Sequence, residues 1–154
     1  DYPFTTLVPN LGVVSVHDGE TFVVADIPGL IEGAHEGHGL GDRFLRHVER
    51  CAMLVHLVDL STGANPSQDA AVIERELGLY SEVLATKPRL ICGSKLDSAF
   101  PGASEDLRAY ARSKGFEYFE ISAVTGLNIT ELVRRLGTIV KENRISPAEI
   151  AVVE

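Results

Sequence analysis

No tryptophan occurs in this chain, aromatic residues make up only 6% of it, and its two cysteines, Cys51 and Cys92, lack C-x-x-C spacing. The first two shortages exclude an aromatic-rich interior and fit an aliphatic one. The third excludes a disulfide framework and leaves two reduced, semi-buried thiols as the reading. No apolar run is long enough to span a bilayer and no signal peptide is visible, so a cytoplasmic protein is expected. No glycine precedes a lysine: Lys87, Lys95, Lys114 and Lys141 follow Thr, Ser, Ser and Val. The phosphate-cradling pattern G-x-x-x-x-G-K-[ST] is therefore absent. Nor is there an excess of positive charge. Fourteen basic against 22 acidic residues give −8, which excludes a general attraction to nucleic acid or anionic membrane and leaves RNA binding to a local patch or another domain.

What is present suits one domain: 154 residues, 45% of them hydrophobic. Residues 11–17 and 21–26 are short β-branched runs joined through Asp18-Gly19-Glu20, where glycine accepts the positive φ of a tight turn, so an antiparallel hairpin is expected. From there strands and helices alternate. Residues 53–59 (MLVHLVD) form a nearly continuous apolar run, as in a strand buried on both faces. Asn65-Pro66-Ser67-Gln68 supplies an N-cap, a first-turn proline and a capping-box glutamine, and Ala70, Ile73, Leu77, Tyr80 and Leu84 follow at helical spacing. A strand at 89–93, a helix from about 104 to 113 ended by Lys114-Gly115, and a strand at 118–122 come next. The last helix opens on Asn128 and buries Ile129, Leu132, Val133, Leu136 and Val140. Residues 144–154 read as a linker or the start of a C-terminal region, which sets 1–143 apart as one domain. The pattern is an α/β fold, a mostly parallel sheet with helices on both faces, whose ligands gather at the carboxyl ends of the strands.

The chemistry-bearing residues sit at those ends. Asp26-Ile27-Pro28-Gly29 follows a strand, and a carboxylate there can hold Mg²⁺ through water while the glycine N–H approaches a terminal phosphate. Ser94-Lys95-Leu96-Asp97 follows another: its carboxylate can accept from the N1–H and exocyclic amine of guanine, and the lysine stem can lie along the purine ring. Ser122-Ala123-Val124 follows a third, with small residues that let backbone N–H groups reach the purine carbonyl. A hydroxyl of Phe4-Thr5-Thr6 could complete a Mg²⁺ shell. Each motif alone is better explained by an ordinary turn closing a strand; the three in this order are specific.

With these residues in view the chain resembles the Obg GTPases, within the translation-factor-like P-loop GTPases. The likeness is carried by residues 1–12 (DYPFTTLVPNLG) and 26–34 (DIPGLIEGA), and continued by Gly39-Leu40-Gly41 and Phe44-Leu45-Arg46-His47. It runs to about residue 143. The resemblance implies a three-layer GTPase sheet with one antiparallel hairpin. It implies GTP binding by Phe4, Thr5, Thr6, Leu7, Val8, Asp26, Ile27, Pro28, Gly29, Ser94, Lys95, Leu96, Asp97, Ser122, Ala123 and Val124, and Mg²⁺ held by Thr6 and Asp26. Slow GTP hydrolysis, switched binding to the large ribosomal subunit during its assembly, links to growth control and the stringent response, and a monomeric state are implied with it.

Three departures follow. The family's phosphate loop lies just upstream of residue 1 on the first, central strand. The chain, opening at Asp1 without Met, therefore reads as a piece of a longer protein. Alone it should neither hold GTP tightly nor fold well, because that strand's neighbours would keep unpaired edges. Leu30 stands where many GTPases place a water-orienting glutamine, so no catalytic residue is identified and hydrolysis should be slow, as in Obg-like enzymes. Ser94 replaces the usual asparagine; guanine preference should survive through Asp97, with looser binding. Among the remaining candidates, the glycine-rich stretch 29–41 suits a switch. His35 and His38 have no third ligand in reach, and His17, His47 and His56 show no ligand spacing. Asp59 reads as a cap for its loop, and Arg43, Arg46 and Arg50 as a solvated helix face. The rival from another class is a non-catalytic pseudo-GTPase docking module; an adenine-nucleotide hydrolase is disfavoured by Lys95-x-Asp97.

Overall fold

The computed structural model describes residues 10–15, 21–27, 46, 49–142 and 149–153, with side chains described at 46, 49–142 and 150–153. Its elements are β1 (Asn10–Ser15), β2 (Thr21–Ile27), β3 (Met53–Asp59), α1 (Pro66–Tyr80), α2 (Glu82–Thr86), β4 (Arg89–Ser94), α3 (Ala103–Lys114), β5 (Glu117–Glu120), α4 (Ile129–Glu142) and β6 (Glu149–Val153). The strands form one sheet in the order β1-β2-β6-β3-β4-β5. β1 runs antiparallel to β2, with Asn10 opposite Asp26 and Ser15 opposite Thr21. The connection through Asp18-Gly19-Glu20 lies outside the described residues. All other pairings are parallel.

Local chemistry explains the boundaries. Asn65 Oδ1 accepts from the Ser67 and Gln68 amides at 3.1 and 3.4 Å, satisfying two of the donors that a helix start leaves unpaired. The helical spacing through Leu84 is divided in the structure. Ser81 takes extended backbone (φ −163°, ψ 155°) and its Oγ accepts from the Leu84 amide at 3.2 Å, so one helix ends and α2 begins. Gly115, at φ 75°, returns its amide to the carbonyls of Ala111 and Arg112 and closes α3 in the left-handed conformation that glycine adopts without penalty. β5 stops at Glu120, two residues short of the apolar run that ends at Ser122.

Helices cover both faces. Met53, Val55, Leu90, Cys92 and Ile150 pack against Leu132, Leu136 and Val140 of α4. The opposite face sets Leu54, Ala151 and Val153 against Leu77 and Leu84, and Val58 and Ile91 against Ala70, Leu107 and Ala111. Alternation along β3 sends odd and even residues to different layers, as the strand period requires. Cys51 and Cys92 are buried and neither forms a disulfide; burial pushes the Cys92 thiol up to about 12, which keeps it neutral.

One charged cluster is built into the face covered by α1 and α2. His56, 1% exposed, donates through Nδ1 to Glu74 Oε2 at 2.8 Å. Arg89, with a side chain 2% exposed, donates through Nη1 to the other Glu74 oxygen and through Nη2 to the Leu84 carbonyl. Its Nε reaches the Lys87 carbonyl at 3.1 Å.

The largest departure from the sequence reading is at the C-terminal end. Residues 149–153, read as linker or the start of another region, form β6 and occupy the sheet's central slot. Val24 stands opposite Ile150 on one side and Leu54 opposite Ala151 on the other. Ile150, Ala151 and Val153 are fully buried. The physical reason is that β2 and β3 would otherwise each present a row of unpaired amides and carbonyls, and a short apolar, β-branched segment satisfies both rows at once. The expected open edges are thus closed by the chain itself.

Candidate functional site

The parallel register brings strand ends together on one edge. Asp59, the last residue of β3, stands opposite Ser94, the last of β4. The carboxyl end of β2 lies three strand positions from β4, about 14 Å of sheet width. Any ligand that touches both is therefore elongated.

After β4 the chain turns sharply. Lys95 adopts left-handed backbone (φ 59°, ψ 42°), a conformation that costs a non-glycine residue about 1 kcal/mol. A short 3-10 turn, Leu96–Ser98, follows. The strain is held by the neighbouring loop: the Leu96 amide donates to the Ile121 carbonyl at 3.0 Å, and the Ile121 amide to Gly93 at 2.8 Å. Leu60, after β3, donates its amide to the Ser94 carbonyl at 3.1 Å. Gly93 fits because a Cβ there would come within 2.8 Å of Leu60 Cδ1 and Tyr118 Oη.

Side chains fix the polar groups. Ser122, 1% exposed, donates its hydroxyl to Asp97 Oδ1 at 2.7 Å and accepts the Thr125 amide at 3.1 Å. A buried hydroxyl with both functions satisfied can hold a carboxylate in one orientation. Asp97 itself is exposed, and among the described residues its Oδ2 takes no hydrogen bond. Lys95 Nζ lies 2.9 Å from Asp59 Oδ2, with side chains 61% and 32% exposed. Burial alone would raise the Asp59 carboxyl. Hydrogen bonds from Ser61 and Lys95, with the lysine's charge, outweigh that and hold it below its ordinary value. Ser94 Oγ donates to the Val58 carbonyl at 3.4 Å, a long bond to the adjacent strand.

The structure thus joins Ser94, Lys95, Leu96 and Asp97 with Ser122. Ala123 and Val124 lie in the same turn, both exposed, Val124 by 85%. The backbones of Asp26 and Ile27 end β2, opposite Val152 and Val153, but their side chains are not described. Phe4, Thr5, Thr6, Leu7, Val8, Pro28, Gly29 and Leu30 lie outside the described residues, as do His35, His38 and Arg43. His56, without ligand spacing in the sequence, belongs to the buried cluster. Asp59 does cap its loop: the amide and hydroxyl of Ser61 both donate to Oδ1 at 2.7 Å. Two features escaped the sequence. One is the Ser122 hydroxyl as a clamp on Asp97, 25 residues away; the other is the Asp59–Lys95 pair. Neither leaves a local signal, since both depend on register between strands.

Chemically, an exposed, oriented carboxylate beside a lysine stem can recognise a flat heterocycle carrying two adjacent N–H donors. No cluster of three metal-ligating side chains occurs among the described residues, which do not include the Asp26 side chain.

A family model described as 50S ribosome-binding GTPase matches residues 1–95. The chain is 50% identical to the GTPase Obg of Desulforudis audaxviator, across 99% of this chain and 36% of that protein. It is 52% identical to the GTPase Obg of Acidobacterium capsulatum (94% and 44%) and 53% identical to that of Solibacter usitatus (85% and 40%). The chain therefore spans less than half the length of these curated relatives. Among solved structures, an Aquifex aeolicus Era variant bound to GDP·AlF4⁻ superposes with a TM-score of 0.63 at 21% identity, over 87% of this chain and 45% of that one. Era in complex with MgGDPNP and a 16S ribosomal RNA segment gives 0.63 at 22% identity, over the same shares. These two likenesses concern the fold.

Proposed function

This chain belongs to the 50S ribosome-binding GTPase family and is Obg-like within it, and on that premise we propose that it forms the switch and base-reading part of a GTP-hydrolysing switch protein. The observation that carries the reading is the clamped Asp97: a carboxylate fixed by buried Ser122, beside Lys95, at the ligand edge of a parallel sheet. Its free oxygen and its clamped one can accept from the N1–H and the exocyclic amine of guanine, while adenine offers a mismatched edge. Lys95 lies along the ring, and the amides around Ala123 and Val124 face the base carbonyl.

In this reading Thr6 and Asp26 hold Mg²⁺, Asp26 through water, and the metal supplies charge neutralisation at the phosphates when bound. Phe4, Thr5, Leu7 and Val8, with Ile27, Pro28 and Gly29, contribute the switch contacts to the nucleotide. Leu30 cannot orient water, so turnover is slow and waits on a backbone group, a cation or a partner. The partner we propose is the large ribosomal subunit during its assembly, with a monomeric, cytoplasmic protein coupling this step to growth and stress. These 154 residues contain no G-x-x-x-x-G-K-[ST]. A polypeptide of them alone is expected to bind guanine nucleotide poorly.

The test is fluorescent GDP binding to the intact protein with Mg²⁺, compared with its Asp97→Ala variant. Removing a charged acceptor from two hydrogen bonds should weaken binding by at least about 100-fold. Binding indifferent to the change would sink the guanine-site assignment and favour a docking module that keeps the fold without nucleotide.

A further inference from the structure

We propose that Asp59 is a positioning residue for nucleotide recognition, fixing the Lys95 ammonium so that the lysine stem is presented along the base-reading edge. The inference rests on the reading of residues 94–97 as the guanine loop and adds to it a residue from a different strand.

Four observations converge. Asp59 and Ser94 are directly opposed, so the carboxylate and the lysine that follows Ser94 issue from adjacent points on the edge. The Asp59 carboxylate is not free to swing: Ser61 donates to Oδ1 twice, from amide and hydroxyl, each at 2.7 Å. That leaves Oδ2 aimed at Lys95 Nζ, 2.9 Å away. The two loops are stitched as one unit, because Leu60 donates its amide to the Ser94 carbonyl and accepts from the Phe100 amide. Finally, Lys95 is held in left-handed backbone, which sets where its long stem leaves the turn.

Energetics separate this role from a merely structural one. A lysine 61% exposed and an aspartate 32% exposed are well screened by water, so their pair contributes little to folding. What the pair does accomplish is to remove rotamers from a four-carbon side chain. That ordering cost, once met in the protein, is not charged again when a base stacks on the stem. Asp69 of α1 borders the same cleft, and Asp59 forms an ion pair with the ammonium there.

The test is a double-mutant cycle in the intact protein, reading fluorescent GDP affinity and release for Asp59→Ala, Lys95→Ala and the pair. Asp59→Ala should weaken binding about fivefold, mainly through faster release. The double variant should bind no more weakly than Lys95→Ala alone, because both changes remove one device. Asp59→Glu should recover most of the loss, and Ser61→Ala, which loosens the carboxylate, should fall between. Should Asp59→Ala fail to fold, Asp59→Asn carries the same cycle with nearly unchanged shape. Additive losses, or binding indifferent to Asp59, would overturn the proposal while Asp97-dependent binding left the guanine site standing. An unsubstituted protein that binds no guanine nucleotide would overturn both.

Discussion

Two ionic clusters grow from the same strand, three residues apart, and they do different work. His56 points to the face covered by α1, where Glu74 and Arg89 complete a buried network. Asp59 ends the strand at the carboxyl edge of the sheet and pairs with Lys95 in water's reach. Burial decides the consequence. In the interior an ion without its partner keeps its full desolvation cost, so every member depends on the others. At the edge water replaces a lost partner cheaply, and what is lost is orientation. With Asp59 positioning Lys95 as proposed, the difference means that stability and recognition can be altered separately along one strand.

The comparison breaks first, and hardest, at Glu74. Glu74→Ala strands Arg89, only 2% exposed, and should lower the unfolding free energy by about 3–5 kcal/mol, read from the urea midpoint at unchanged slope. Nucleotide affinity per folded molecule should be unaltered. A loss below about 1 kcal/mol would show that the cluster is not held together as an ion network.

Ser122→Ala probes the boundary between the two kinds of site, since its hydroxyl is buried yet serves an exposed carboxylate. Asp97 would lose its clamp and the Thr125 amide its acceptor. GDP affinity should fall about tenfold, with a stability loss of about 1 kcal/mol. Unchanged affinity in a folded variant would mean that Asp97 needs no orientation.

The smallest effect sharpens the exposed pair. The Asp59 carboxyl is held below its ordinary value of 3.8, so its ionised form is favoured in the folded state. The parent should exceed Asp59→Asn in stability above that ordinary value. The margin should vanish as pH falls through the lower folded value, because protonation then costs the fold what it does not cost the unfolded chain. After solvent screening the margin at pH 7 should be at most about 0.5 kcal/mol, measurable as a difference between urea titrations at pH 7 and pH 3. A larger gap would move Asp59 into the class of Glu74.

Much of this was legible in the chain. The bounds of β3 are those of its apolar run, and Asn65 caps α1 through the side chain its position predicts. Ser94–Asp97 and Ser122 stood out as strand-end motifs before any partner was visible. Other features were not legible because their cause is non-local. Ser81 interrupts a helical periodicity that continues to Leu84, since the register of apolar residues does not report which conformation a serine takes. The ion cluster at His56 required residues 18 positions away in α1 and the start of β4 to meet behind the sheet.

The sequence by itself determined the strand–helix alternation, the residues offered at the strand ends, and the absence of a lysine-bearing phosphate loop, all of which follow from local period and side-chain chemistry. Only the tertiary structure decided what fills the centre of the sheet. A five-residue segment, Glu149–Val153, too short to declare itself, lies between β2 and β3 because two unpaired strand edges and a buried apolar layer demand a strand there. Pairing across a sheet is a property of neighbours in space, and no window of sequence contains it.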